Sequence, residues 1–355
     1  MGKKVLFAGN EAIGEAAILA GCRCYFGYPI TPQNELTAYM AMRMPQVGGV
    51  FIQSESELAA IYMVLGASVV GVRAMTSSSS PGVTLKQEGI SYLQGDELPA
   101  VVVNVQRGGP GLGNIAPSQA DYFQATKGGG HGDYKNIVLV PHTVQEACDL
   151  TILAFDLAEK YRIVVIILAD GVLGQMMEPV VFPEKVEIRQ YPKDYILDGA
   201  VSRPPRIVRS LFLEEGVLEA HNNRLQAKYK KVEENEVRYE EVETTDAEWL
   251  LIAYGTVARA CKNVVIDRRL KGDKVGLLRP ITVWPYPYDA IRKLIRRGVK
   301  GILVSEMNAG QMLEDVELAA CGKVPVKFYG RMGGGMPSPE EIDSALASLI
   351  KEAKC

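Results

Sequence analysis

Two carboxylates and a hydroxyl stand near the start of this 355-residue chain, in positions where folds commonly place reacting groups. Glu55 and Glu57 lie in Phe51-Ile52-Gln53-Ser54-Glu55-Ser56-Glu57-Leu58-Ala59-Ala60, after an apolar run and before the helical spacing Leu58, Ile61, Tyr62, Leu65. A carboxylate there meets a helix N-terminus, whose dipole favours negative charge. Either residue can simply cap that helix. Either can instead act as an ionised acid sharing a proton with a heteroaromatic ring nitrogen, Glu55 being the preferred candidate and Glu57 its rival two positions on. Thr31 sits in Phe26-Gly27-Tyr28-Pro29-Ile30-Thr31-Pro32, where each proline fixes its own φ and keeps the preceding residue out of helical geometry. Its hydroxyl is thereby held either for a ligand or for capping a helix that begins near Gln33.

Three further loops could complete a site. Thr76-Ser77-Ser78-Ser79-Ser80-Pro81-Gly82 is either a flexible turn or a row of hydroxyls suited to a heteroaromatic ring or a carboxylate. Arg107 ends an apolar run and precedes Gly108-Gly109-Pro110-Gly111-Leu112-Gly113, so its guanidinium can grip the carboxylate of a small 2-oxoacid or form a structural ion pair. The glycines are a poor dinucleotide fingerprint, because Gly-Gly-Pro disfavours a helix start and no acidic residue ends a following strand at the needed distance. Gly128-Gly129-Gly130-His131-Gly132-Asp133 places His131 and Asp133 as further pocket candidates. Asp170-Gly171 is an incomplete magnesium–diphosphate motif, since Ala169 precedes it and the next asparagine is Asn222. The diphosphate is therefore expected on another chain. One buried glutamate at a strand end, by contrast, suits the aminopyrimidine half of thiamine diphosphate.

The elements that must position these residues alternate. Buried strands are expected near 5–8, 24–27, 49–52, 72–75, 100–104, 137–140 and 164–168, with helices near 11–20, 57–70 and 144–160. Such repetition predicts a doubly wound, mainly parallel α/β sheet with functional loops at the carboxyl ends of its strands. The range 191–245 reads as a connector whose 214–242 portion is a charged helix, its charge runs more plausibly a solvated face than a binding tract. A second α/β unit begins at 246, with strands near 249–252, 274–278, 301–305 and 324–328 and helices near 257–271, 289–297 and 312–321. The expected domains are thus 1–190, 191–245 as linker, and 246–355.

Composition narrows the function. With 47% hydrophobic residues, 23% charged and a net charge of -3, the chain has no electrostatic reason to bind nucleic acid or an acidic membrane. Lys3-Lys4 runs straight into a short strand with no leader pattern, and no apolar stretch reaches membrane-spanning length. Six cysteines, two of them at a C-x-C spacing that fits neither zinc nor iron–sulfur templates, point to free thiols in a cytoplasmic protein without a metal or cluster of its own.

The ordered set Phe26 to Pro32, Gln53 to Glu57, Thr76 to Gly82, Gln106 to Gly111, Leu278-Arg279-Pro280-Ile281-Thr282-Val283-Trp284-Pro285 and Ser305-Glu306-Met307-Asn308-Ala309-Gly310-Gln311-Met312 resembles the alpha subunit of 2-oxoacid:ferredoxin oxidoreductases, the branched-chain (2-oxoisovalerate) type most of all. The resemblance covers nearly the whole chain. It implies a pyrimidine-binding thiamine diphosphate domain followed by a transketolase C-terminal-like domain. It also implies a beta subunit holding Mg2+ and the diphosphate, gamma and ferredoxin-like delta subunits, and ferredoxin as electron acceptor. Glu55 would then activate the aminopyrimidine, with Thr31 and Arg107 on the substrate and Pro29, Ser78 and Ser79 as further cofactor contacts. The implied reaction is oxidative decarboxylation of a 2-oxoacid with coenzyme A to an acyl-CoA. A 2-oxoglutarate-utilising member would carry similar motifs, and two other classes stay open: a scaffold paralogue without chemistry, and a coenzyme-binding module built on the glycine loop, for which an acidic ribose partner is missing.

Overall fold

The protein is seen here as a computed structural model that describes residues 4–353. The first stretch alternates β1 (Val5–Ala8), α1 (Gly9–Leu19), β2 (Cys24–Gly27), α2 (Asn34–Arg43), β3 (Val50–Gln53), α3 (Glu57–Val69), β4 (Ala74–Ser78), α4 (Ser80–Gly95) and β5 (Ala100–Gln106). It continues through α5 (Tyr122–Thr126), β6 (Ile137–Leu139), α6 (Val144–Tyr161), β7 (Val164–Asp170), α7 (Gly171–Gln175) and β8 (Met177–Val180). Strands β5 and β7 are buried at every position, as continuous apolar runs between two helical layers must be.

After an irregular connector come α8 (Val217–Asn235), β9 (Tyr239–Val242), β10 (Trp249–Ile252), α9 (Gly255–Leu270), β11 (Val275–Pro280), β12 (Thr282–Trp284) and α10 (Tyr288–Arg296). The chain finishes with β13 (Gly301–Glu306), α11 (Gln311–Ala320), β14 (Val326–Gly330) and α12 (Pro339–Glu352). The helix expected over 214–242 ends at Asn235, because Tyr239–Val242 pairs antiparallel with β11 and the sheet edge overrides the charged helical pattern. No helix among the described residues is long and apolar enough to cross a membrane.

A seven-stranded sheet runs β12-β6-β7-β5-β4-β2-β3 and a five-stranded sheet β14-β13-β10-β11-β9. All pairs within the larger sheet are parallel except β12–β6, so the loops after β2, β3, β4, β5 and β7 gather at one edge. Strand β1 lies outside that sheet, in an antiparallel pair with β8. Strand β12, late in the chain, extends the early sheet and so stitches the two halves together.

Polar contacts fasten the same junction. Arg279 is buried and donates to both carboxylate oxygens of Glu146 on α6, at 3.0 and 2.8 Å, and to Glu240, its cross-strand partner on β9, at 2.7 Å. Gln119 donates to the Tyr254 carbonyl at 2.9 Å and accepts from the Met307 amide at 3.0 Å.

Candidate active site

The loop after β2 is fixed from beneath. Gln33 donates to the Tyr28 carbonyl at 3.2 Å, and its side-chain oxygen accepts from Ser77 at 2.5 Å and Thr37 at 3.1 Å. Asn10 donates to the Pro32 carbonyl at 2.8 Å. This leaves Tyr28 and Pro29 exposed at the tip and Thr31 half-buried, its hydroxyl accepting from Asn34 at 3.1 Å. Gln33, not Thr31, is the residue before α2. The prolines thus hold Thr31 above the helix start instead of spending its hydroxyl on the cap.

The two glutamates part company at the carboxyl end of β3. Ser56 is the N-cap of α3, accepting from the Ala59 amide at 3.2 Å, so the helix starts at Glu57. Glu57 thereby joins the inward stripe with Ala60, Ile61 and Val64 and is 6% exposed. Glu55 lies outside the helix, exposed, with only the Ser56 hydroxyl donating to it at 3.1 Å. Strand β3 is the outermost of its sheet, and its Val50 and Ile52, together with Leu58 and Tyr28 nearby, are apolar and more than a third exposed.

Arg107 follows β5 and is 7% exposed. Its Nη1 donates to the Thr31 carbonyl and its Nη2 to the Leu112 carbonyl, both at 3.0 Å, while its Nε is buried without a partner. It belongs to no salt bridge among the described residues. The fold therefore joins Thr31 and Arg107, 76 positions apart, from the ends of β2 and β5 across the intervening β4.

Behind Arg107 lies a cluster that the sequence reading passed over. Ser80 accepts from the Arg107 amide at 3.0 Å and donates to Asp121 at 2.6 Å, and Asn104 donates to the same carboxylate oxygen at 2.9 Å. Burial raises the Asp121 carboxyl above its ordinary value, against those two donors. Asn104 interrupts a run of valines on a central strand, which is the one sequence signal for it. Arg107, Ser80 and Asp121 line a cleft of about 610 Å³ whose opposite wall comes from Met307, Asn308 and Met332 of the second unit.

Ser78 and Ser79 are fully buried, with hydroxyls lacking any hydrogen-bond partner, so Ser80 is the serine of that run which reaches the cleft. His131 and Asp133 line a pocket, but a different one from the cleft of Arg107, with Tyr92, His221 and Leu225. Their loop immediately precedes β6, which is parallel to β7, and so lies at the amino edge of the sheet, away from the other loops. There Ser91 donates to the His131 carbonyl at 2.7 Å and Gln226 of α8 to the Asp133 carbonyl at 2.6 Å. Asp170 caps α7 through the amides of Val172 and Leu173, at 3.0 and 3.1 Å, and its other oxygen faces the Thr256 amide at 3.4 Å.

The donor set fits one half of a thiamine diphosphate site. Of the two glutamates the structure buries Glu57, where a buried acid was expected, and leaves the preferred Glu55 exposed at the end of an edge strand. Both oxygens of Asp170 are committed, and among the described residues no group of three or more His, Cys, Asp and Glu is placed to hold a metal ion. The Cys22 thiol donates to the Cys24 carbonyl, and burial pushes it up to about 12.

Comparison with known proteins agrees with this geometry. Residues 15–245 match the family described as pyruvate flavodoxin/ferredoxin oxidoreductase, thiamine diP-bdg, and residues 247–342 match pyruvate:ferredoxin oxidoreductase core domain II. The ketoisovalerate oxidoreductase subunit VorB of Methanothermobacter marburgensis is 54% identical over 97% of both chains. The 2-oxoglutarate synthase subunit KorA of Methanocaldococcus jannaschii is 39% identical over 95% of this chain and 98% of its own. The solved 2-oxoglutarate:ferredoxin oxidoreductase of Magnetococcus marinus, with 2-oxoglutarate, coenzyme A and succinyl-CoA bound, superposes with a TM-score of 0.88 at 28% identity. That match covers 98% of this chain, which spans only 65% of the longer neighbour.

Proposed function

This chain belongs to the 2-oxoacid:ferredoxin oxidoreductase family, and from that premise we propose that it is the alpha subunit, presenting the pyrimidine-activating acid and the 2-oxoacid clamp of a shared active site. The observation that carries the reading is Arg107: a buried guanidinium, unpaired and with a free Nε, lines a cleft next to Thr31. A buried cation without a counter-ion is costly, and a carboxylate ligand relieves that cost. Thr31 and Arg107 bind the carboxylate and keto group of the oxoacid, and Glu55 holds a proton toward the cofactor's pyrimidine nitrogen. Exposed Pro29 and the buried hydroxyls of Ser78 and Ser79 are further contacts for the cofactor.

Thiamine diphosphate, when bound, supplies a nucleophilic carbon and an electron sink for decarboxylation. A beta subunit carries its diphosphate and Mg2+, which the commitment of Asp170 to helix capping supports. Gamma and ferredoxin-like delta subunits complete the complex, hold its iron–sulfur clusters, and pass electrons to ferredoxin in the cytoplasm, with coenzyme A taking the acyl group. We take 1–190 as the pyrimidine-binding domain, 191–245 as connector and 246–355 as the transketolase C-terminal-like domain, the last boundary supported by family matches that meet at 245 and 247.

The preferred substrate is a branched-chain 2-oxoacid such as 2-oxoisovalerate. Arg107 is the one basic residue lining the cleft among the described residues, and Pro81, Pro110, Met307 and Met332 give it apolar walls suited to a branched tail. A second carboxylate, as in 2-oxoglutarate, would find no cation of this chain there. The test is coenzyme-A-dependent dye reduction by the reconstituted complex over a panel of oxoacids. A higher kcat/KM for 2-oxoisovalerate supports the reading, a preference for 2-oxoglutarate replaces it with the dicarboxylate type, and no turnover with any oxoacid would leave a scaffold.

A further inference from the structure

Lys86 is a fully buried cation that the site described above leaves unexplained. It lies on α4 with no exposed surface and donates to the Glu57 carbonyl at 3.2 Å and the Thr76 hydroxyl at 3.0 Å. Burial pushes its ammonium down to about 7, against the pull of the nearby Glu57 charge. Around it the packing is closed. A Cβ on Gly82 would stand 2.1 Å from the Ser78 hydroxyl and 2.4 Å from a Glu57 carboxylate oxygen, so glycine is required for those two oxygens to lie over α4. Methionine or leucine would fill the volume of Lys86 without desolvating a charge. The geometry shows what the lysine does that an apolar residue cannot: it ties the first residue of α3 to β4 and α4.

We propose that Lys86 is a positioning residue for Glu55. By holding the backbone carbonyl of Glu57, the residue that opens α3, it fixes the turn Ser54-Glu55-Ser56 and sets where the Glu55 carboxylate stands at the sheet edge. Among the described residues only the neighbouring Ser56 bonds to the Glu55 carboxylate, so its placement depends on the residue that follows that cap. The proposal rests on the reading of Glu55 given above.

In the assembled complex, Lys86→Met should lower kcat by roughly 10- to 100-fold, the cost of misplacing a reacting group by about an ångström. The 2-oxoacid KM should stay within about twofold, because Thr31 and Arg107 are anchored independently. A second readout does not depend on turnover: amide hydrogen exchange over residues 55–60 should quicken by about tenfold while α6 keeps its protection. Where Lys86→Met does not assemble, Thr76→Val removes one partner of the ammonium at nearly constant volume, with the same two effects at smaller amplitude. Unchanged exchange at 55–60, or kcat and KM moving together, overturns the proposal. Glu55→Gln is measured alongside. Full turnover there would sink the reading of Glu55, while the exchange result still decides whether Lys86 holds the turn.

Discussion

Replacing Arg107 separates a ligand clamp from a structural ion pair. A guanidinium has five N–H donors. One on Nη1 and one on Nη2 are spent on the Thr31 and Leu112 carbonyls, which leaves three, including the buried Nε–H. A substrate carboxylate can take two of them. Hydrogen bonds to charged groups contribute about 1.5–3 kcal/mol each. Allowing for the desolvation of the substrate, Arg107→Met should cost about 3 kcal/mol of binding, a KM higher by roughly 100-fold. Arg107→Lys keeps the charge but loses the fork and should fall near tenfold. Steady-state dye reduction with varied 2-oxoacid reads both. Stability gives the control, because the free chain loses an uncompensated buried cation in Arg107→Met and should unfold in urea at the same or a higher midpoint. A variant with unchanged KM and a clearly lower midpoint would refute the argument and make Arg107 structural.

Three other outcomes test the framework around the site. Burial raises the Glu306 carboxyl to about 7, although the amides of Met312 and Leu313 and the side chain of Asn308 oppose it. The unfolded chain releases this proton near the ordinary glutamate value, so stability falls as pH rises from 4.5 to about 7, by about 3 kcal/mol at 1.36 kcal/mol per unit. Glu306→Gln should flatten that slope in urea unfolding at pH 5 and pH 8, and parallel slopes would contradict it. Gly82→Ala gains about 1 kcal/mol of helix propensity but overpacks Ser78 and Glu57 for about 1–3, a net loss that Ser78→Ala should partly restore in thermal melts. Burial would raise the Glu146 carboxyl, but His142 and Arg279 hold it down at about 2. Arg279→Met leaves Glu146 without that cation and should destabilise the junction by about 3 kcal/mol at neutral pH, with the difference shrinking as pH falls from 4.5 toward 2. An equal midpoint at pH 7 would argue against this.

The sheet was legible where burial on both faces forces unbroken apolar runs, as in β5 and β7, and the loops that end those strands carry the candidate site. It was legible at the edge strands β1, β3 and β14 too, but not at β8, β9 and β12. Met177–Val180 contains a proline and a glutamate, Tyr239–Val242 two glutamates, and Thr282–Trp284 only three residues, so their pairing comes from partners far along the chain. The same limit hid the meeting of Arg107 with Thr31 and of Ser80 with Asp121, which depend on strand order and not on spacing. The two glutamates are different. With Ser56 as cap, Glu57 falls three and four positions before Ala60 and Ile61 and shares their inward stripe, so the period of α3 already separated it from Glu55.

The central claim is that the exposed carboxylate, and not its buried neighbour, does the chemistry. It is tested most directly by turnover of Glu55→Gln against Glu57→Gln, each reconstituted with the partner subunits at equal occupancy. The account predicts that Glu55→Gln assembles normally and loses roughly two to four orders of magnitude in kcat, as removal of an acid–base group does, while Glu57→Gln loses far less. The reverse order, or full turnover in both, would contradict it.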